Sequence, residues 1–140
     1  MELLRLEDNL KLNVPEIDSQ HETLIMLINR LHEAMLQGTG REVLDELMSR
    51  LIEHTRTHFS YEEQLMSQYN YPEYEAHKSE HNKLMQHLVD LAESYHSGEL
   101  ILSFAVMLEL KGWATVHIEE FDMPLGIFLK SREGAGAAPV

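Results

Sequence analysis

Apolar residues recur every three or four positions in four separate stretches of the chain. Ile17, His21, Leu24, Ile28, Leu31 and Met35 form one stripe, and Leu44, Leu47, Leu51, Thr55, His58, Glu62 and Leu65 a second. His77, His81, Leu84, Leu88, Leu91 and Tyr95 form a third, and Val106, Leu110, Trp113 and His117 a fourth. This spacing matches the helical repeat and predicts four amphipathic helices that share one core. Breakers fall at Pro15, Gly38 and Gly40, Pro72, Gly98, and from Pro124 onward. Asp18 or Ser19 is a candidate cap for the first helix. No segment alternates as a strand does and the links are short, so the expected fold is all-α, an antiparallel up-down-up-down four-helix bundle. The first sixteen residues read as a non-helical N-terminal arm. Residues 1–132 are expected to form the bundle domain, and 133–140, which include GAGAAPV, read as a disordered tail.

Composition narrows the function. Eleven basic against twenty-four acidic residues give a formal net charge of −13, the wrong sign for neutralising nucleic-acid phosphates. The chain has no cysteine, which removes thiolate zinc sites, iron-sulfur clusters, disulfides and cysteine nucleophiles. Any metal must therefore be held by nitrogen and oxygen. No run of about 18 apolar residues occurs, and MELLRLEDNLKL carries acids where a secretory leader is apolar, so no membrane insertion and a cytoplasmic location are expected.

Polar residues sit in the middle of the stripes that should be buried: His21, His58 with Glu62, His77 with His81, and His117. Burial of that many polar groups is costly unless each finds a partner. A single such histidine is ordinarily a core residue bonded to a neighbour. Residues four apart on a helix project side by side, however, so each pair offers two donor atoms to one point, and two pairs plus an inward histidine on each remaining helix are how bundles build metal sites. His32, His54, His87 and His96 are read as surface groups or as groups behind the ligands. A His54, His58, Glu62 row would span about 12 Å, too far for one ion. The methionines fit gap-filling core positions.

The runs IDSQH at 17–21, HFSYEE at 58–63, YPEYEAHKSEH at 71–81 and WATVHIEEFD at 113–122 resemble the hemerythrin family, in particular its single-domain bacterial members. The resemblance covers nearly the whole chain in order. It implies a non-haem di-iron centre, oxo- or hydroxo-bridged, in which His77, His81 and His117 hold one iron, His21 and His58 the other, and Glu62 and Asp122 bridge both. Near the start the chain departs from the family: Leu6 stands where a Trp is usual, and Leu12-Asn13 where a Val-Gly is usual. These changes bear on the packing of the arm and touch no ligand.

The implied activity is reversible dioxygen binding for storage, delivery to an oxygen-consuming enzyme or scavenging, and not catalysis. Two six-coordinate irons offer about twelve positions, of which the seven ligands and one bridge fill about eleven. The open position falls on the iron with two histidines. Leu24, Ile28, Leu51, Phe59, Leu84, Leu110 and Trp113 are expected to wall off water. A sensor module, a di-iron enzyme acting on peroxide or nitric oxide, an iron donor for repair, and a hydrolytic zinc site are the competing functions. Seven ligands with two bridges favour octahedral ions over tetrahedral zinc. Asp122 lies five positions beyond His117, about 140° round a regular helix, so the last helix is expected to be irregular there. A turn loosened by Pro124, a helix end at Met123 or a one-residue bulge would each serve.

Overall fold

A computed structural model of the chain describes residues 3–6 and 10–134. Four helices follow one another: α1, Pro15–Leu36; α2, Arg41–Gln68; α3, Tyr74–His96; and α4, Phe104–His117. The last continues through a π-turn, Ile118–Asp122, into α5, Met123–Gly134. Among the described residues there is no strand, and no helix is long and apolar enough to cross a membrane. The arrangement is a four-helix bundle in which α1 lies along α2, α2 along α3, and α4 against α1. Of the expected tail, 133–140, the residues from 135 onward lie outside the described ones, and Glu133 and Gly134 end α5.

The helix ends show how the links are made. After α1, Gly38 adopts φ +66° and donates to the Met35 carbonyl while Thr39 donates to that of Ala34. After α2, Asn70 takes φ +54° and the same pair of bonds forms from Asn70 to Ser67 and from Tyr71 to Met66. Glycine and asparagine suit this left-handed cap, which satisfies carbonyls the helix leaves open. The expectation that Asp18 or Ser19 caps α1 is corrected: the helix begins at Pro15, whose fixed φ and missing N–H suit the first turn. Asp18 instead turns back, and its two carboxylate oxygens accept from the backbone N–H groups of Leu12 at 2.8 Å and Asn13 at 2.9 Å.

That contact holds the N-terminal arm on the bundle. A second clamp is Asn29, whose Oδ1 accepts from the N–H groups of Leu3 and Leu4 and whose Nδ2 donates to the Leu4 carbonyl. Asn13 sits at φ +61°, a conformation asparagine tolerates better than most side chains. Leu6 is half-buried and packs against the core.

The core divides in two. One apolar cluster takes Leu24, Ile28, Leu31, Met48, Leu51, Leu88, Leu91, Met107 and Leu110. The other takes Ile17, Met66, Tyr71, Ile118, Leu125 and Leu129, together with Leu10 and Leu12 from the arm. Each buried side chain of this kind contributes about 1.5–3 kcal/mol. Along every helix the stripe passes from one cluster to the other through a polar layer: Ile17, then His21, then Leu24 on α1; Leu51, then His58 and Glu62, then Met66 on α2. The apolar clusters supply the stability that lets such a layer be buried.

His32 is corrected by the structure. It was expected at the surface or behind the ligands, yet it is 2% exposed, tilted against the Phe104 ring at the far end of the bundle. It lies four residues beyond Ile28 on the apolar stripe of α1, and helical phase carries it inward.

Candidate metal centre

The polar layer gathers seven side chains from four helices. His21 comes from α1, His58 and Glu62 from α2, His77 and His81 from α3, His117 from the end of α4, and Asp122 from the end of the π-turn. All are buried; Glu62 and Asp122 are fully so. Their donor atoms form two overlapping groups, Glu62 with His77, His81, His117 and Asp122, and His21 with His58, Glu62 and Asp122. Within each group the atoms lie within 4.8 Å of one another, close enough to share one cation. The structure thus brings together all seven residues singled out from the sequence.

The two carboxylates divide their oxygens between the groups. Glu62 Oε1 lies 3.0 Å from His81 Nε2 and 3.3 Å from His77 Nε2, while its Oε2 lies 3.2 Å from His58 Nε2. Asp122 Oδ1 lies 3.1 Å from His77 Nε2 and 3.2 Å from His117 Nε2, while its Oδ2 lies 2.8 Å from His21 Nε2. Every imidazole therefore points Nε2 inward.

The π-turn explains how the spacing of five works. Met123 donates to the Ile118 carbonyl, five residues back, which widens the turn by one residue. Of the three ways the chain could meet the His117–Asp122 spacing, the structure uses the bulge. Pro124 does not end the helix, because it falls in the first turn of α5, a position proline tolerates.

Charge in the layer is mutually compensated. Burial alone would raise the Glu62 carboxyl, as would the neighbouring Asp122, but the close imidazoles of His58 and His77 hold it well below the usual carboxylate range. Burial likewise opposes ionisation of Asp122, and the nearby imidazole of His117, with the hydrogen bonds of His21 and His77, holds it low. Burial would lower His77, yet Asp122 and Glu62 raise it to about 9; His21 is raised too, by Asp122, against its own burial. Three buried polar atoms, His58 Nε2, Glu62 Oε2 and His117 Nε2, still make no hydrogen bond among the described residues. Such orphans are costly in an apolar interior. A cation beside them would be the natural partner of such atoms, so the residues present fit a metal.

Outside the layer, Phe59 stacks on His81 with 3.9 Å between ring centroids and 6° between planes, and Phe121 lies against His117 at 5.6 Å. Of the expected apolar wall, Leu24, Ile28, Leu51, Phe59 and Leu110 are buried, whereas Leu84 and Trp113 are only half-buried. His54 joins neither group: it is half-buried, its ring stacks 6.4 Å from that of His58, and its Nε2 donates to the Gln20 carbonyl at 2.8 Å. His87 and His96 are at the surface beside Glu109 and Asp45.

Two participants were missed from sequence. Gln20 Oε1 accepts from His58 Nδ1 at 2.5 Å, and Glu63 Oε2 accepts from His81 Nδ1 at 2.9 Å. Both stand within the recognised runs, next to His21 and Glu62, but off the apolar stripes, so periodicity gave them no role. The general need of a metal-bound imidazole to place its second N–H is the signal that could have found such residues.

Residues 12–124 match the family model described as the hemerythrin HHE cation binding domain. The bacteriohemerythrin of Methylococcus capsulatus is 32% identical over 114 residues, 81% of this chain and 86% of that protein. That of Stenotrophomonas maltophilia is 31% identical over 122 residues, 87% of this chain and 78% of its own. Among solved structures, a hemerythrin variant with one leucine replaced by alanine superposes with a TM-score of 0.83 at 30% identity, over 90% of this chain and 96% of that one. A wild-type hemerythrin gives 0.75 at 31% identity, over 81% and 87%. With the family model, the sequence and the fold in agreement over most of its length, the chain belongs to the hemerythrin HHE cation-binding family.

Proposed function

We propose that this protein holds two iron ions in the polar layer and binds dioxygen there reversibly, as a carrier, store or scavenger and not as a catalyst. The observation that carries this reading is the division of oxygens in Glu62 and Asp122: each turns one oxygen to the three-histidine group and the other to the two-histidine group. A single ion would not use both oxygens of both carboxylates in this way. His77, His81 and His117 would hold one iron and His21 and His58 the other, with Glu62 and Asp122 shared. Two ferrous ions supply the electrons that reversible dioxygen binding draws on.

The chain's own part is to position, to exclude water and to limit charge. Five neutral imidazoles against two carboxylates keep the net anionic charge of the ligand set low, which favours the ferrous state over the more highly charged one. The side with two imidazoles has fewer protein donors, leaving room there for a small ligand. Burial of all seven side chains, and Phe59 flat against His81, keep bulk water from the layer.

Protein loaded anaerobically with ferrous iron tests the reading. Metal analysis is expected to give two irons per chain, and optical titration one dioxygen per chain, with a visible band that disappears when oxygen is removed. One iron per chain, preferential retention of zinc, or continuous consumption of dioxygen would overturn it.

A further inference from the structure

With every Nε2 turned inward, the five imidazoles leave five Nδ1 atoms pointing away from the centre. Those of His21, His77 and His117 have no hydrogen-bond partner among the described residues. Those of His58 and His81 do, and the two partners differ in charge: the Gln20 amide oxygen for His58, the Glu63 carboxylate for His81. Each metal group therefore has one externally supported imidazole, a neutral support in the two-histidine group and an anionic one in the three-histidine group.

We propose that Gln20 and Glu63 are positioning residues that make the two metal positions electronically unequal, Glu63 favouring the higher oxidation state on its own side. The proposal rests on the di-iron reading. A carboxylate facing Nδ1–H draws the proton toward itself and pushes electron density onto Nε2, which makes that imidazole the stronger donor; an amide oxygen fixes the ring without adding charge. The surroundings match these roles. Gln20 is held from both ends, because its backbone carbonyl accepts from His54 Nε2 while its side chain accepts from His58. Glu63 is 22% exposed and borders a groove of about 200 Å³ between α2 and α3, lined also by Arg56, Phe59, Ser60, Asn82 and Met85. Its charge can be solvated there while its bonded oxygen reaches His81, so an anion is sustained at the edge of a layer that could not afford another inside.

Glu63→Gln keeps a hydrogen-bond acceptor and removes the charge; Gln20→Glu adds a charge on the other side; the double variant exchanges them. Each is loaded with ferrous iron, and iron content, chelator competition and the midpoint potentials of the iron pair are measured, with helical circular dichroism reporting folding. Glu63→Gln is expected to raise the potential and weaken iron retention on the order of tenfold. Gln20→Glu is expected to lower the potential. The double variant should return near the parental mean potential with an altered mixed-valence resonance signal, because the anionic side is now the other one. Glu63→Ala, which loses charge and hydrogen bond together, should lose more iron than Glu63→Gln. If folded single variants keep two irons and their potentials stay put or move in the same direction, the proposal is overturned while the di-iron reading stands. If the parent itself fails to hold two irons, it is the di-iron reading that fails.

Discussion

Deleting one exposed residue from the π-turn should be tolerated, whereas inserting one should not. Asp122 lies five residues beyond His117, which on a regular helix is about 140° round the axis; four residues would leave it about 40° away. The π-turn absorbs the extra residue, so that Asp122 Oδ1 sits 3.2 Å from His117 Nε2 and α5 emerges in the phase that buries Leu125 and Leu129. Deleting Glu120, which is exposed, restores a four-residue spacing, converts the turn to regular helix and leaves both Asp122 and α5 aimed as before. The metal-free protein is expected to stay within about 1 kcal/mol of the parent and to load the same metal. Inserting an alanine after Glu120 turns everything beyond it by about 100°. Two leucines then leave the core at about 1.5–3 kcal/mol each. His21 and His77 lose the Asp122 carboxylate, at about 1–3 kcal/mol for each buried group left unpaired. The sum, about 5–12 kcal/mol, is comparable to the whole stability of a domain this size. Urea unfolding of both metal-free variants, with metal analysis after loading, gives the comparison. Equal damage from deletion and insertion, or an insertion that leaves stability and metal content intact, would refute this account of the spacing.

The remaining predictions concern pH and the arm. Glu62 and Asp122 are held below their ordinary values of 4.5 and 3.8, so the stability they confer is present above those values and is lost as pH falls below them. His77 is raised from 6.5 to about 9, so its contribution is complete below 6.5 and disappears as pH rises through 9. The thermal midpoint of the metal-free protein should therefore be highest at about pH 5–6.5 and fall on both sides, and a flat profile from pH 6 to 9 would refute the assignment. Gly126 lies under the arm, where an added Cβ would meet Leu12 Cγ at 2.8 Å and its Cβ at 3.0 Å. Gly126→Ala gains about 1 kcal/mol of helix propensity but overpacks by about 1–3 kcal/mol, so faster proteolysis within the arm is expected, relieved by adding Leu12→Ala. Unchanged proteolysis of the single variant would show that the arm does not depend on this contact.

Much of this protein is set by periodicity alone. Four apolar stripes, separated by glycine and proline, are enough to require helices that share a core, because a helix can bury only the face its 3.6-residue repeat defines. The same repeat places His58 beside Glu62 and His77 beside His81, and so exposes their chelating pairs to a reader of the sequence. It also carries His32 inward, although its residue type suggested the surface. Three things lay beyond it. The route from His117 to Asp122 admitted several local solutions, and it is the π-turn that places Asp122 in the polar layer and Leu125 and Leu129 in the core. Asp18 had the chemistry of a helix cap, but the chain just before α1 folds back so that Leu12 and Asn13 donate to both its oxygens. Gln20 and Glu63 stand off the buried stripes, and their partners sit on neighbouring helices, 38 and 18 residues away. Local repeat fixes which face of a helix is buried; which groups meet across helices depends on how those faces dock, and that is decided only in three dimensions.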